Sequence, residues 1–161
     1  MTTPVKNWTD SRYFGFIRSA LRAAFRRYPP KYQVIQEAKR KKKRGKADKN
    51  GRQKWEYKCA ECKKHWPNKV VIVDHIEPAG SLRSYSDLPQ FVERLFCGPE
   101  GLQVLCKPCH HLKTMEERGI NPVVAAFKKL NAEGQRAALK KNGLPDGSNA
   151  SKRLEIFEAN L

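Results

Sequence analysis

The chain has 161 residues with 33 Lys/Arg and 16 Asp/Glu, and its formal net charge of +17 at pH 7 favours a polyanionic partner, most often nucleic acid and occasionally an anionic membrane. Because hydrophobic residues make up only 39% of the chain, we expect one small core. No apolar run approaches the roughly 18 residues of a membrane span, and the N-terminus lacks the apolar segment of a secretory signal, so we expect a soluble, cytoplasmic protein.

The positive charge is concentrated in an N-terminal arm, residues 1–54. This arm holds 17 Lys/Arg and only three Asp/Glu. Within it, residues 11–28 place apolar side chains, among them Phe14 and Phe25, at helical spacing, which predicts a basic amphipathic helix that stops at Pro29 and Pro30. The arginines of this helix are predicted nucleic-acid contacts: Arg18, Arg22, Arg26 and Arg27.

A second helix is predicted over residues 31–44, followed by a loop rich in Gly, Asp and Asn at 45–51. The helix ends in the run KRKKKR, whose residues are Lys39, Arg40, Lys41, Lys42, Lys43 and Arg44. Such a run is compatible with a solvated helix end or a localisation signal. Beside a site for nucleic-acid chemistry, the same run would contact phosphates.

Four of the five cysteines form two CxxC pairs, separated by 43 residues. The members are Cys59, Cys62, Cys106 and Cys109. Two CxxC turns can present four thiolates to a tetrahedral zinc ion, and this spacing suits a metal in a reducing compartment better than a disulfide framework. Four thiolates would complete the coordination shell of the zinc, so His110 and His111 would not be needed as zinc ligands. His65 is the alternative ligand, although a surface position beside the first pair is the favoured interpretation of this histidine.

Between the two pairs, residues 70–73 form a β-branched run that predicts a strand, with Asp74 and His75 at or just past its end. Pro78 and Gly80 then predict a loop. A carboxylate and an imidazole side by side can hold a divalent cation and accept a proton from water near neutral pH. An ordinary hydrogen-bonded surface pair is the alternative for this Asp-His dipeptide.

Further helices are predicted on either side of the second cysteine pair. One begins at Ser86 or Asp87 and packs over the strands, and another opens with His110 and His111 and stops near Gly119. The unpaired Cys97 is interpreted as a small buried residue. Three aromatic residues around the first cysteine pair are interpreted as core: Trp55, Tyr57 and Trp66.

The order of these motifs resembles the HNH (His-Me finger) nucleases, in particular the phage-type branch with zinc knuckles. The resemblance covers residues 57–117 and rests on CxxC, a hydrophobic strand running into DHIxP, and LQVLCKPCHxxKT. It implies a ββα-metal core whose ends are held by zinc. It further implies that His75 is the general base, with Asp74 and His110 as ligands of a catalytic Mg²⁺, Mn²⁺ or similar ion, and that cleavage leaves a 5′-phosphate and a 3′-hydroxyl.

Two other features bear on this resemblance. Members usually carry Asn directly before LQ, where this chain has Gly101; the nearest polar candidates to replace it are Glu100 and Gln103. Lys113 lies in the helix after His110 and is a further predicted DNA contact.

The predicted organisation is α+β in three parts: a basic helical arm (1–54), an HNH core with zinc knuckles (55–120) and a helical extension (121–161). Helices are expected over residues 123–130 and 132–141, and the stretch from 137 to the C-terminus weakly resembles a SAP-type helix-loop-helix, with a plain helical tail as the alternative.

Three functions are compatible with these patterns. The first is a phage-type HNH endonuclease acting on DNA, most readily double-stranded DNA. The second is a catalytically weak or inactive zinc module that binds nucleic acid, which Gly101 would favour. The third is an accessory protein of packaging or host-takeover machinery, whose basic arm would dock on an acidic protein surface.

Overall fold

The computed structural model describes residues 4–42 and 55–161, and in this part of the chain seven helices accompany five short strands. The helices are α1 Asp10–Phe25, α2 Pro29–Glu37, α3 Leu88–Leu95, α4 Lys107–Glu117, α5 Pro122–Lys128, α6 Ala132–Lys141 and α7 Ala150–Glu158. The strands are β1 Lys39–Lys41, β2 Trp55–Lys58, β3 His65–Pro67, β4 Val71–His75 and β5 Leu102–Cys106. The mixed α+β class is therefore as predicted. Within these residues, no helix has both the length and the apolar character of a membrane span.

The second helix is shorter than predicted. The structure has α2 begin at Pro29 rather than Lys31 and end at Glu37, and three of the residues expected to continue it, Lys39–Lys41, form strand β1. Proline is compatible with the first turn of a helix, where its missing N–H has no intrahelical partner, so Pro29 follows one helix and begins the next. Strand β1 forms because Lys39 pairs with Tyr57 of β2, a partner that is distant in sequence. The predicted contacts Lys43 and Arg44 lie outside the described residues.

The strands form two small antiparallel sheets, one of β1, β2 and β3 and the other of β4 and β5. In the second sheet Val71 pairs with Cys106 at one end and His75 pairs with Leu102 at the other. One face of this pair packs into an apolar cluster around Val34 of α2. Since side chains alternate along a strand, His75 shares this face, whereas Asp74 belongs to the opposite face.

Helix α1 packs against α3 through its apolar side. Phe14, the buried residue of α1, lies in a cluster with Leu82, Phe91 and Leu95. Thr9 caps the start of α1 by accepting a hydrogen bond from the backbone N–H of Arg12. This packing holds the end of α3 beside the β4–β5 sheet, because Phe25 of α1 contacts both clusters.

The chain divides into two compact units, Met1–His110 and His111–Leu161. The division falls inside α4, ten residues before the predicted boundary. In the second unit, helices α5, α6 and α7 enclose a cluster of Phe127, Leu139 and Phe157. The two helical pieces predicted around the GLPDGSNA loop are α6 and α7, and Gly143 after α6 has the positive φ of a helix end.

Candidate functional site

Four cysteine sulfurs come together in one cluster. Cys59 and Cys62 lie in the turn between β2 and β3, whereas Cys106 ends β5 and Cys109 lies in the first turn of α4. All four Sγ atoms lie within 4.8 Å of one another, and those of Cys62 and Cys106 are 3.9 Å apart. A tetrahedral zinc ion with bonds of about 2.3 Å separates its sulfurs by about 3.8 Å. The predicted four cysteines therefore form one site that could bind a metal ion such as zinc.

Backbone hydrogen bonds hold the first cysteine pair against β5. The N–H of Cys59 donates to Lys64 O at 2.9 Å, which closes the turn, and Lys63 adopts a positive φ of 58° within it. The N–H of Ala60 donates to Val104 O at 2.8 Å, and that of Cys106 donates to Cys59 Sγ at 3.3 Å. The last two bonds join the turn after β2 to strand β5, so they bring the two cysteine pairs together.

The four thiols differ in acidity. The Trp66 side chain and then the Lys64 backbone lower the pKa of Cys62 to about 6. The pKa of Cys109 is raised to about 12, first by its hydrogen bond with Cys106, and burial raises the pKa of Cys106. Because a metal binds thiolates, an ion entering this cluster must displace protons from Cys106 and Cys109.

A second pair of potential metal ligands lies on β4 and α4. Nε2 of His110 is 3.7 Å from Oδ1 of Asp74, with side-chain exposures of 34% and 18%. Asp74 lies opposite Gln103 in the β4–β5 pairing. His111, the next residue of α4, is exposed and lies roughly 100° around the helix from His110. The structure thus brings together two of the three residues predicted for the active site, one oxygen donor and one nitrogen donor.

His75 is the last residue of β4, in agreement with the predicted position at the strand end, and its side chain is on the face opposite Asp74. Its Nε2 is 3.0 Å from Leu95 O, and its ring centroid is 4.7 Å from that of Phe25. A carbonyl oxygen only accepts hydrogen bonds, so Nε2 carries the proton. In the neutral ring the lone pair is then on Nδ1. This contact fixes both the orientation and the tautomer of the imidazole.

The predicted DNA contacts differ in their surroundings. Arg22, Arg26 and Arg27 are exposed at the end of α1, and Arg18 is half-buried. Four residues of the basic run are described: Arg40 pairs with Glu56 at 3.1 Å, Lys39 lies 4.2 Å over the Trp55 ring, and Lys41 and Lys42 are exposed. Lys113 forms an ion pair with Glu117 on the same helix.

Two other residues are more exposed than predicted. Trp55 is predicted in the core, but it is 40% exposed at the first position of β2, where its ring lies under Lys39, whereas Tyr57, two residues on and on the same face, is buried. Cys97 is half-buried rather than buried, and it lines a cavity of about 490 Å³ beside α3. His65 lies in β3 and is not part of the metal-binding cluster found among the described residues.

The residues that hold His75 were not predicted. Leu95 acts through its backbone carbonyl, which carries no side-chain signal in the sequence, and it lies 20 residues from His75. Phe25 lies 50 residues away and is typical of any apolar helix face. The available clue was the end of α3, since the last carbonyls of a helix require donors from elsewhere.

Comparison of the chain with protein families, with curated proteins and with solved structures found no match.

Proposed function

We propose that this chain is a metal-dependent HNH endonuclease, of the phage type, that hydrolyses DNA phosphodiester bonds on one strand or both. The order of a β4–β5 hairpin followed by α4 agrees with a ββα-metal core. The observation that carries the proposal is the 3.7 Å approach of Asp74 Oδ1 to His110 Nε2. The sulfur cluster supports it further, because four cysteines satisfy a structural zinc without using either residue.

Asp74 and His110 would hold the catalytic ion. Their donor atoms, 3.7 Å apart, are one carboxylate oxygen and one imidazole nitrogen, which together could bind one divalent ion. When bound, Mg²⁺ or Mn²⁺ would neutralise charge on the scissile phosphate and on the leaving 3′-oxygen. The half-buried Asp74 carboxylate and the His110 imidazole would hold the ion near the end of β4.

His75 would act as the general base. Leu95 O holds the proton on Nε2, so Nδ1 is the atom that would take a proton from the attacking water. Asp74 and His75 are successive residues on opposite faces at the end of β4. A phosphate placed at this strand end would therefore have the metal ligands on one side and the base on the other.

The basic arm would bind DNA without reading its sequence. Arg22 in the last turn of α1 and Arg26 and Arg27 just past its end are exposed, and exposed arginines commonly contact phosphates. Each neutralised phosphate releases counterions, so binding should weaken steeply as salt concentration rises.

Nicking of supercoiled plasmid by the zinc-loaded chain with added Mg²⁺ or Mn²⁺ tests the proposal. We expect His75→Ala to lower the nicking rate by at least about 100-fold, since the general base is lost. His110→Ala should do the same, whereas His111→Ala, its exposed neighbour on the same helix, should retain the native rate. The His75→Ala and His110→Ala variants should still bind DNA with the native salt dependence.

A native chain that binds DNA but does not nick it would contradict the proposal. That outcome would favour the second candidate, a zinc module that binds nucleic acid without cutting it. The observation that favours this candidate is Gly101, which stands where the resembling family usually has Asn.

A further inference from the structure

Gly101 has no room for a side chain. A Cβ atom built at this position would lie 2.6 Å from Sγ of Cys97, closer than real Cβ contacts allow, and 3.0 Å from its Cβ, which is a tight contact. Backbone conformation does not explain the glycine, because Gly101 is not among the positive-φ glycines of the described chain. The glycine is therefore required by the neighbouring cysteine.

The contact between Cys97 and Gly101 joins the two segments that flank His75. Cys97 follows α3 by two residues, and α3 ends at Leu95, whose carbonyl binds His75 Nε2. Gly101 precedes β5 and accepts a hydrogen bond from the N–H of Ile76, the residue after His75, at 2.9 Å. One close contact thus determines how near the end of α3 approaches the start of β5.

We infer that Gly101 is a positioning residue for His75 and that the Cys97 side chain is what requires a glycine there. The sulfur occupies the space of a residue 101 side chain, and the glycine backbone lets the end of α3 come close enough for Leu95 O to hold the imidazole. A side chain at 101 would push these segments apart and weaken that hydrogen bond. This inference rests on the proposed function insofar as it concerns catalysis, and it explains why Gly101 is compatible with an active site.

The consequence is a reciprocal pattern of substitutions. Gly101→Ala should displace His75 because the new methyl group meets Cys97. Cys97→Ala should have little effect, since it removes only the sulfur and leaves the other four cysteines to bind zinc. In Cys97→Ala with Gly101→Ala the sulfur contact is gone and a 3.0 Å contact between the two Cβ atoms remains, which a shift of a few tenths of an ångström relieves, so the double variant should recover most of the native behaviour. Gly15→Ala is the matched control, because the nearest atom to a Cβ there is 4.0 Å away.

The test measures two quantities on the zinc-loaded proteins. Long-range ¹⁵N NMR of the His75 ring reports which nitrogen carries the proton, and plasmid nicking reports the rate. We expect Gly101→Ala to change the ring-nitrogen shifts and to lower the rate by about tenfold or more, as small misplacements of catalytic groups do. The double variant should regain native-like shifts and a rate within about threefold of Cys97→Ala, which is the non-additivity expected of contacting residues.

The inference is overturned if the two substitutions are additive, or if Gly101→Ala leaves the His75 shifts unchanged. If Gly101→Ala does not fold, the inference still requires the double variant to fold and bind zinc, and failure of the double variant overturns it. If the native chain does not nick DNA, the proposed function has failed while the NMR comparison still decides the role of the pair.

Discussion

Two backbone carbonyls at the end of α3 accept hydrogen bonds from side chains far away in the sequence. Leu95 O accepts from His75 Nε2 at 3.0 Å, and Phe96 O accepts from the Tyr28 hydroxyl at 2.6 Å. The last carbonyls of a helix have no intrahelical donor, and leaving one unpaired in a partly buried place costs free energy. These two side chains therefore stabilise the helix end that holds the candidate base.

Tyr28→Phe should lower the free energy of unfolding by about 1 kcal/mol, because the Phe96 carbonyl loses its donor. Tyr32→Phe is the control: its hydroxyl also donates to a backbone carbonyl, that of Arg26 at 3.1 Å, but it is exposed to water. Its effect should stay within about 0.5 kcal/mol. Urea unfolding of the zinc-loaded proteins measures both, and equal losses would show that the Tyr28 bond has no special weight.

The number of protons released on zinc binding should follow from the different pKa values of the thiols. At pH 7 Cys62, with a pKa of about 6, is already largely a thiolate, while the raised pKa values of Cys106 and Cys109 keep these two protonated. We therefore expect at least about two protons released per zinc, and an affinity that falls as the pH is lowered.

The contribution of Cys62 has a defined pH window. Because its pKa is lowered, its favourable contribution is present at neutral pH and is lost as the pH falls through about 6, where the decline in affinity should steepen. Calorimetric zinc titrations in buffers of different ionisation enthalpy measure the proton count. Release of fewer than one proton per zinc would contradict the raised pKa values of Cys106 and Cys109.

At the scale of elements, local signals predicted most helices and long-range pairing decided the exceptions. Helices α1, α3 and α6 follow apolar spacing, caps and breakers that the sequence displays. Strand β1 could not be predicted, since Lys39–Lys41 has helix-forming composition and becomes a strand only because β2 pairs with it. In the site, the cysteine spacing predicted the sulfur cluster, but nothing local indicated which face of β4 His75 would occupy.

The loop before α7 depends on a close approach of two backbones. A Cβ at Gly147 would lie 2.5 Å from the backbone nitrogen of Arg153, and Gly147 O accepts a hydrogen bond from the buried guanidinium of that arginine at 3.1 Å. The same guanidinium donates to Gln135 of α6 at 3.0 Å, so Arg153 links the loop to two helices.

Gly147→Ala should therefore destabilise the second unit by more than about 2 kcal/mol, because backbone atoms cannot yield as a flexible side chain does. Ser148→Ala, at the adjacent exposed position, should change stability by less than about 0.5 kcal/mol. Hydrogen exchange should locate the loss of protection in residues 111–161. A loss spread evenly over the chain would contradict this expectation.

At the scale of the whole molecule, the two units have different sources of stability. In Met1–His110 the buried Cys59 and Cys106 pack with Leu105 as one of the apolar clusters, so bound metal would stabilise this unit directly. In His111–Leu161 the cluster of Phe127, Leu139 and Phe157 contains no cysteine. Metal dependence should therefore be confined to the first unit.

A strong chelator should lower the melting temperature of the first unit and leave amide protection in the second unchanged. Cys106→Ala should reproduce this effect without chelator, because it removes one ligand. Cys97→Ala is the matched control, since Cys97 lies outside the sulfur cluster and its loss should preserve zinc content. Calorimetry with hydrogen exchange separates the two units, and a simultaneous loss of both would show that they do not unfold independently.

Helix α4 begins directly after Cys106, and His110 follows Cys109 without an intervening residue. The direction in which the His110 imidazole points from α4 is therefore set relative to the Cys109 thiol. One alanine inserted between them would turn the imidazole by roughly 100° away from the carboxylate on the neighbouring strand. Such a chain should keep the four-cysteine cluster, so its zinc content should stay native, while the proposed DNA nicking should be lost.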